Sequence, residues 1–175
     1  TTAAFPGSTE RVFAKRYDWH LGHGMAVANL KGIGKKALQL KADDTPAEWV
    51  SKYGSLTFNQ NGREFPVGGM NEKGLVVEIM WLDNTEYPAV DARETVNELQ
   101  WIQYQLDNYA TVSEAVASAD KLRISRAYAP VHYMVCDATG ACATFENLEG
   151  KMVVHSGADL KAPTLTNSTY SESMK

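Results

Sequence analysis

Few residue types in this chain combine reactivity with a suggestive spacing. Cys136 and Cys142 are its only cysteines, and they flank Asp137-Ala138-Thr139-Gly140, a good turn sequence. That spacing lets them face each other across a hairpin. Two buried free thiols are the expected state, because a disulfide needs both an oxidising compartment and suitable geometry. Neither cysteine has a His or Lys beside it in sequence to lower a thiol pKa, which argues against a nucleophilic role. His20 and His23 suggest a metal site, but zinc takes three or four ligands and nothing nearby completes the set. No metal is therefore expected. Asp18 ends a β-prone run and Asn167 follows one, and both residue types commonly form turns. Trp81 closes an apolar run and reads as core packing, and His132 and His155 as core or edge residues of strands.

The elements that must position these residues follow from patterning. Residues 1–5 and 11–17 are β-prone around Pro6-Gly7-Ser8-Thr9, a turn signal, so a hairpin is expected from the first residue. Residues 37–40 and 56–58 are further strand candidates. In residues 75–82 the apolar run LVVEIMWL is interrupted only by Glu78, which suits a strand buried on both faces. Residues 94–107 carry Val96, Leu99, Ile102 and Leu106 at helical spacing, predicting a helix with one apolar face. Thr111-Val112-Ser113-Glu114 is a capping box that opens a second helix. Strands return at residues 131–136, 141–146 and 151–155, with 164–166 as the last candidate. Strands, two helices and strands again predict an α+β layered fold. The final segment shows no closing helix, so the chain is expected to be cut from a longer domain.

Composition narrows the function classes. At 44% hydrophobic and 22% charged residues the chain reads as one globular domain or part of one. A net charge of −4 argues against a nucleic-acid partner, since phosphate binding needs a basic face. No apolar stretch approaches membrane-spanning length, so no membrane partner is expected. The chain opens on TTAAF without an initiator Met, so an upstream segment is expected to have been removed.

Four local patterns carry the reading further. They are Val12-Phe13-Ala14-Lys15-Arg16-Tyr17-Asp18-Trp19, Gly69-Met70-Asn71-Glu72-Lys73-Gly74-Leu75, Trp101-Ile102-Gln103-Tyr104 with Leu106–Val112 (LDNYATV), and Leu165-Thr166-Asn167-Ser168. In this order and spacing the chain resembles the choloylglycine hydrolase family, which includes penicillin V acylases and bile salt hydrolases. Trp49-Val50-Ser51-Lys52-Tyr53-Gly54-Ser55 and the Trp-containing helix are closer to the penicillin V acylase side. The resemblance implies a four-layer αββα sandwich of the N-terminal-nucleophile hydrolases, with residues 1–175 as the N-terminal part of a single domain. It also implies hydrolysis of a linear amide by an N-terminal cysteine whose own α-amino group acts as base. An α-amine titrates at roughly 7.7–8.0, so it can take a thiol proton near neutral pH.

The resemblance assigns roles residue by residue. The nucleophilic Cys is expected immediately before Thr1, because the chain begins Thr1-Thr2-Ala3 where the family begins with Cys followed closely by Thr. The alternative makes Thr1 itself the nucleophile. Asp18 matches the carboxylate that holds the nucleophile's amino group. Lys15 stands where the family usually carries Arg, a basic group that favours thiolate; Lys lacks the planar fork, so that contact departs from the pattern. Arg16 falls on the opposite face and is not expected to substitute. Asn167 matches the oxyanion-hole side chain and Trp81 the position whose backbone N–H completes the hole. Asn71 and Gly74 shape a turn. Trp19 and Trp81 favour an aromatic or fatty acyl group.

The expected substrate is a small acyl amide, penicillin V foremost, with bile salts and N-acyl homoserine lactones as alternatives, and no cofactor. A rival is a family fold that has lost its nucleophile and binds acylated ligands. A homo-oligomer is expected, the rest of the domain lying on a second chain or a further segment. Export to the periplasm or beyond is expected, since removing a signal peptide is one way to expose an N-terminal Cys.

Overall fold

Strands β1 (Thr2–Pro6) and β2 (Arg11–Lys15) pair antiparallel with Thr2 opposite Lys15 and Phe5 opposite Val12, giving the expected hairpin. The computed structural model describes residues 1–7 and 10–175, so the expected turn Pro6-Gly7-Ser8-Thr9 lies partly outside the described residues. The next strands are β3 (Met25–Asn29), β4 (Gly34–Lys36), β5 (Glu48–Val50), β6 (Ser55–Asn59), β7 (Pro66–Asn71) and β8 (Val76–Trp81). A short β9 (Thr95–Val96) precedes helices α1 (Gln100–Asn108) and α2 (Val112–Ala117). Then come β10 (Arg123–Ile124), β11 (Val131–Cys136), β12 (Cys142–Leu148), β13 (Lys151–Ser156), β14 (Thr164–Leu165) and α3 (Tyr170–Ser173).

Two sheets dominate. One has seven antiparallel strands in the order β13-β12-β11-β8-β7-β6-β3, and the other has three, β14-β1-β2. Helices α1 and α2 pack on one face of the large sheet, against β7, β8, β11 and β12. The core there is built from Val77, Ile79, Trp101, Ile102, Leu106, Tyr133 and Phe145. The small sheet packs on the other face, where Met80, Met134, Cys136, Cys142 and Leu165 meet Ala4 and Phe13. Side chains alternate along a strand. Strand β8 therefore sends Val77 and Ile79 to the helices, and Glu78 and Met80 to the small sheet. It is buried nearly throughout, as its apolar run predicts. The fold is α+β, with three of the four expected layers supplied by the described residues. Phe5 and Val12, on the outer face of the small sheet, are 55% and 56% exposed.

Several expectations change in detail. Residues 37–40 form no strand: Ala37 is a core residue, and the Leu38 and Leu40 amides donate to Gln100 Oε1 and Asp44 Oδ2. The helix expected over 94–107 begins only at Gln100. Thr95 and Val96 instead pair parallel with Arg123 and Ile124, and the Asn97 side chain accepts the Leu99 and Gln100 amides at 2.9 and 2.7 Å, starting the helix there. The capping box at Thr111 and Glu114 forms as read. A second one, Thr169 with Glu172, opens α3 where no helix was expected. The two cysteines are not free thiols. They stand opposite each other in the β11–β12 ladder with Cα atoms 4.1 Å apart, and they form a disulfide.

Helix α1 is buried on nearly every side, so its polar residues need partners. Asp107, wholly buried, accepts from Trp49 Nε1 at 2.7 Å and Gln103 Nε2 at 2.9 Å, and pairs with Lys35 at 3.0 Å. Asp107→Ala leaves the Lys35 ammonium only a 3.9 Å contact with Glu64, takes the acceptor from Trp49 Nε1 and Gln103 Nε2, and should cost about 3–5 kcal/mol. Urea unfolding of matched proteins checks this; a loss under about 1 kcal/mol would mean that Asp107 does not anchor the β4–β5 hairpin.

Candidate active site

Strand β2 turns Phe13 and Lys15 toward the large sheet, and the ladder continues past it: the Arg16 amide donates to the Thr1 carbonyl at 2.9 Å. Lys15 is nearly buried. Its Nζ lies 2.8 Å from Glu78 Oε2, donates to the Val67 carbonyl at 2.9 Å, and stands 4.8 Å above the Tyr17 ring. Burial pushes the Lys15 ammonium below and the Glu78 carboxyl above their ordinary values, each opposed by the other's charge. Glycine at position 68 makes room for the pair, because a Cβ there would overlap the Glu78 carboxylate.

Arg16 lies on the outer side and holds Asp18 in an exposed ion pair of 3.0 Å. The Thr1 nitrogen lies 3.5 Å from the Arg16 carbonyl, continuing the β1–β2 pairing. Thr1 stands at the head of the small sheet's central strand, β1.

Asn167, in the connector after β14, donates from Nδ2 to the Trp81 carbonyl at 2.9 Å. An amide nitrogen carries two hydrogens, so the second remains for another acceptor. Trp81 stands opposite Val131 in the β8–β11 ladder, while the Leu82 amide makes the next bond to Pro130. The Trp81 N–H and C=O accordingly point away from β11.

A cavity of about 530 Å³ joins these parts: Thr1, Lys15, Asp18, Trp19, Trp81 and Asn167 all line it. The rings of Trp19 and Trp81 stack at 5.6 Å, and Tyr128 meets Trp81 edge-on at 6.4 Å. Buried Glu98 accepts the Ala127, Tyr128 and Ala129 amides at 2.7–2.8 Å, which fixes the loop that carries Tyr128. Sequence reasoning missed Glu78, Glu98 and Tyr128. Only Glu78 left a signal, as the lone charge in an apolar run. His20 and His23 gather no metal set, and no cluster of three or more such ligands occurs among the described residues.

The model of the linear amide C-N hydrolases, choloylglycine hydrolase family, matches residues 7–172. The chain belongs to this family. A penicillin V acylase of Pectobacterium atrosepticum is 33% identical over 67% of this chain and 35% of its own length. The solved penicillin V acylase of Agrobacterium tumefaciens superposes with a TM-score of 0.80 and 30% identity, over 99% of this chain and 54% of that one. A mutant conjugated bile acid hydrolase from Clostridium perfringens shares the fold, with a TM-score of 0.74 and 18% identity over 90% of this chain and 50% of that one. This choloylglycine hydrolase family chain therefore spans about half the length of the solved relatives.

The Lys15–Glu78 pair can be tested through stability. Removing one partner alone, by Lys15→Met or Glu78→Leu, should cost about 3–5 kcal/mol, and the double change far less. With Lys15 gone, Glu78 keeps a raised folded pKa. The native state then binds its proton more tightly than the unfolded chain does, and stability falls as pH climbs above the ordinary 4.5. Urea unfolding of Lys15→Met read against the Lys15→Met/Glu78→Leu double variant across pH 4–8 checks the sign; a difference that stays flat or rises with pH would contradict a buried, unpaired carboxyl.

Proposed function

We propose that the full-length protein hydrolyses linear amides carrying an aromatic acyl group, penicillin V foremost, through a cysteine placed immediately before Thr1. The observation that carries this reading is the one cavity shared by the head of β1, Lys15, Asp18, Trp81 and Asn167. Register supports the position of the nucleophile. Thr2 and Ala4 face the large sheet with Lys15 and Phe13, so Thr1 falls on the outer register with Arg16 and the preceding position on the inner one.

In this reading the α-amine takes the thiol proton and the thiolate attacks the amide carbonyl. The oxyanion accepts from the free Asn167 Nδ2 hydrogen and the Trp81 backbone N–H. The C–N bond breaks as the proton passes to the leaving amine. Water then attacks the thioester, releases the acid and restores the thiol. The stacked Trp19 and Trp81 and the edge of Tyr128 suit a flat acyl group. Asp18, its carboxylate held by Arg16, lines the same cavity and would orient the amine of that cysteine.

Turnover of penicillin V by matched full-length proteins tests the reading. Asp18→Asn should lower kcat by at least about tenfold. The thermal midpoint should hardly move, because the Asp18 side chain is 70% exposed. Full activity in this variant would remove Asp18 from the mechanism.

We also propose that residues 1–175 are the N-terminal part of a single domain. Further chain would cover Phe5 and Val12 on the small sheet and Leu56, Phe58 and Met70 on the large one, all about half exposed. Expressed alone, residues 1–175 should bind a hydrophobic dye and self-associate, whereas the full-length protein should not. A monomeric, dye-silent fragment that unfolds cooperatively would contradict this.

A further inference from the structure

Asn167 sits in a short exposed connector between β14 and α3, yet the proposed chemistry needs its amide aimed closely. Two wholly buried side chains of the large sheet grip that connector from both ends. His132 on β11 and Glu146 on β12 both face the small sheet and are 0% exposed. His132 Nε2 lies 2.9 Å from the carbonyl oxygen of Thr166, the residue before Asn167. A carbonyl oxygen only accepts, so Nε2 carries a hydrogen and donates it. On the other side of the ring, Nδ1 lies 2.8 Å from Glu146 Oε1. That same oxygen accepts the backbone N–H of Tyr170 at 2.9 Å, three residues after Asn167. Glu146 thus fixes the orientation of the His132 ring and the start of α3 together. The remaining carboxylate oxygen faces His155 at 4.0 Å, beyond hydrogen-bond reach.

An apolar pair of similar volume would fill this space without burying ionisable groups. What the His132–Glu146 pair supplies is direction, through bonds to backbone groups on both sides of one side chain. We infer that His132 and Glu146 are a positioning pair for Asn167: they set the backbone from which its Nδ2 reaches toward the Trp81 carbonyl and the oxyanion. The inference rests on the proposed role of Asn167 as oxyanion donor. Such a donor acts on charge that develops in the transition state, so loosening its support lowers kcat and leaves substrate binding nearly unchanged. A purely structural pair would lower stability without that selectivity.

A double-mutant cycle in the full-length protein, with penicillin V as substrate, separates the possibilities. Asn167→Ala should lower kcat by about 10²–10³. His132→Phe should lower kcat about tenfold with KM within about twofold, and have no further effect in the Asn167→Ala background. Glu146→Gln keeps an acceptor for the Tyr170 amide and guards against loss of fold. It should give a smaller fall, about threefold, equally absent when Asn167 is gone. Effects of His132→Phe and Glu146→Gln that add in full to Asn167→Ala, or that appear in KM alone, would overturn the positioning role while leaving Asn167 in place. Full turnover by Asn167→Ala would overturn both the oxyanion reading and the inference built on it.

Discussion

The candidate site has one wall on each sheet, so everything depends on how the small sheet is held against the large one. Apolar packing does most of this. Leu165 of β14, Ala4 of β1 and Phe13 of β2 lie on Met80, Met134 and the Cys136–Cys142 pair. Removing such surface from water is worth roughly 25 cal/mol per Å². Packing alone is non-directional and would tolerate a slide of one sheet over the other. The polar contacts across the gap fix the offset: Lys15 to Glu78 and Val67, Asn167 to Trp81, and His132 to Thr166. Each contact ends on the large sheet, on β7, β8 or β11. The register of that sheet therefore decides where Asn167 and the head of β1 meet.

Much of this frame was legible in the sequence because it rests on local rules. The β1–β2 hairpin, the doubly buried β8, the Thr111 capping box and the last three strands of the large sheet all announce themselves through apolar runs and turn residues. Other elements failed for physical reasons. Residues 94–99 carry helical spacing, but Asn97 caps the helix from inside the pattern and Thr95-Val96 find a strand partner at Arg123-Ile124, which no local pattern reveals. The cysteines were read as thiols because sequence shows that they face each other but not how near the backbones come.

The candidate site divides in the same way. Thr1, Lys15, Asp18, Trp19, Trp81 and Asn167 were named through the family resemblance that the four local patterns carry, and all six line one cavity. Their partners were not named. Glu78 reaches Lys15 from another sheet, and Glu98 holds the Tyr128 loop from 29 to 31 residues away. His132 and Glu146 looked like ordinary strand residues because their meaning lies in backbone groups near Asn167. Side chains that would act on a substrate can be found by motif, whereas those that aim them depend on tertiary contacts. Asp18 shows both sides: its exposed bond to Arg16 spans two residues of local chain, while its place in the cavity beside the head of β1 is a tertiary fact.

The central claim is that the reacting atom belongs to the residue just ahead of Thr1, on the inner register of β1. Acid-quenching the full-length protein during penicillin V turnover and mapping the acylated peptide by mass spectrometry tests it directly. The account predicts a phenoxyacetyl thioester, released by hydroxylamine, on a cysteine immediately before Thr1. An acyl group on the Thr1 hydroxyl, or on any residue outside the cavity, would contradict it.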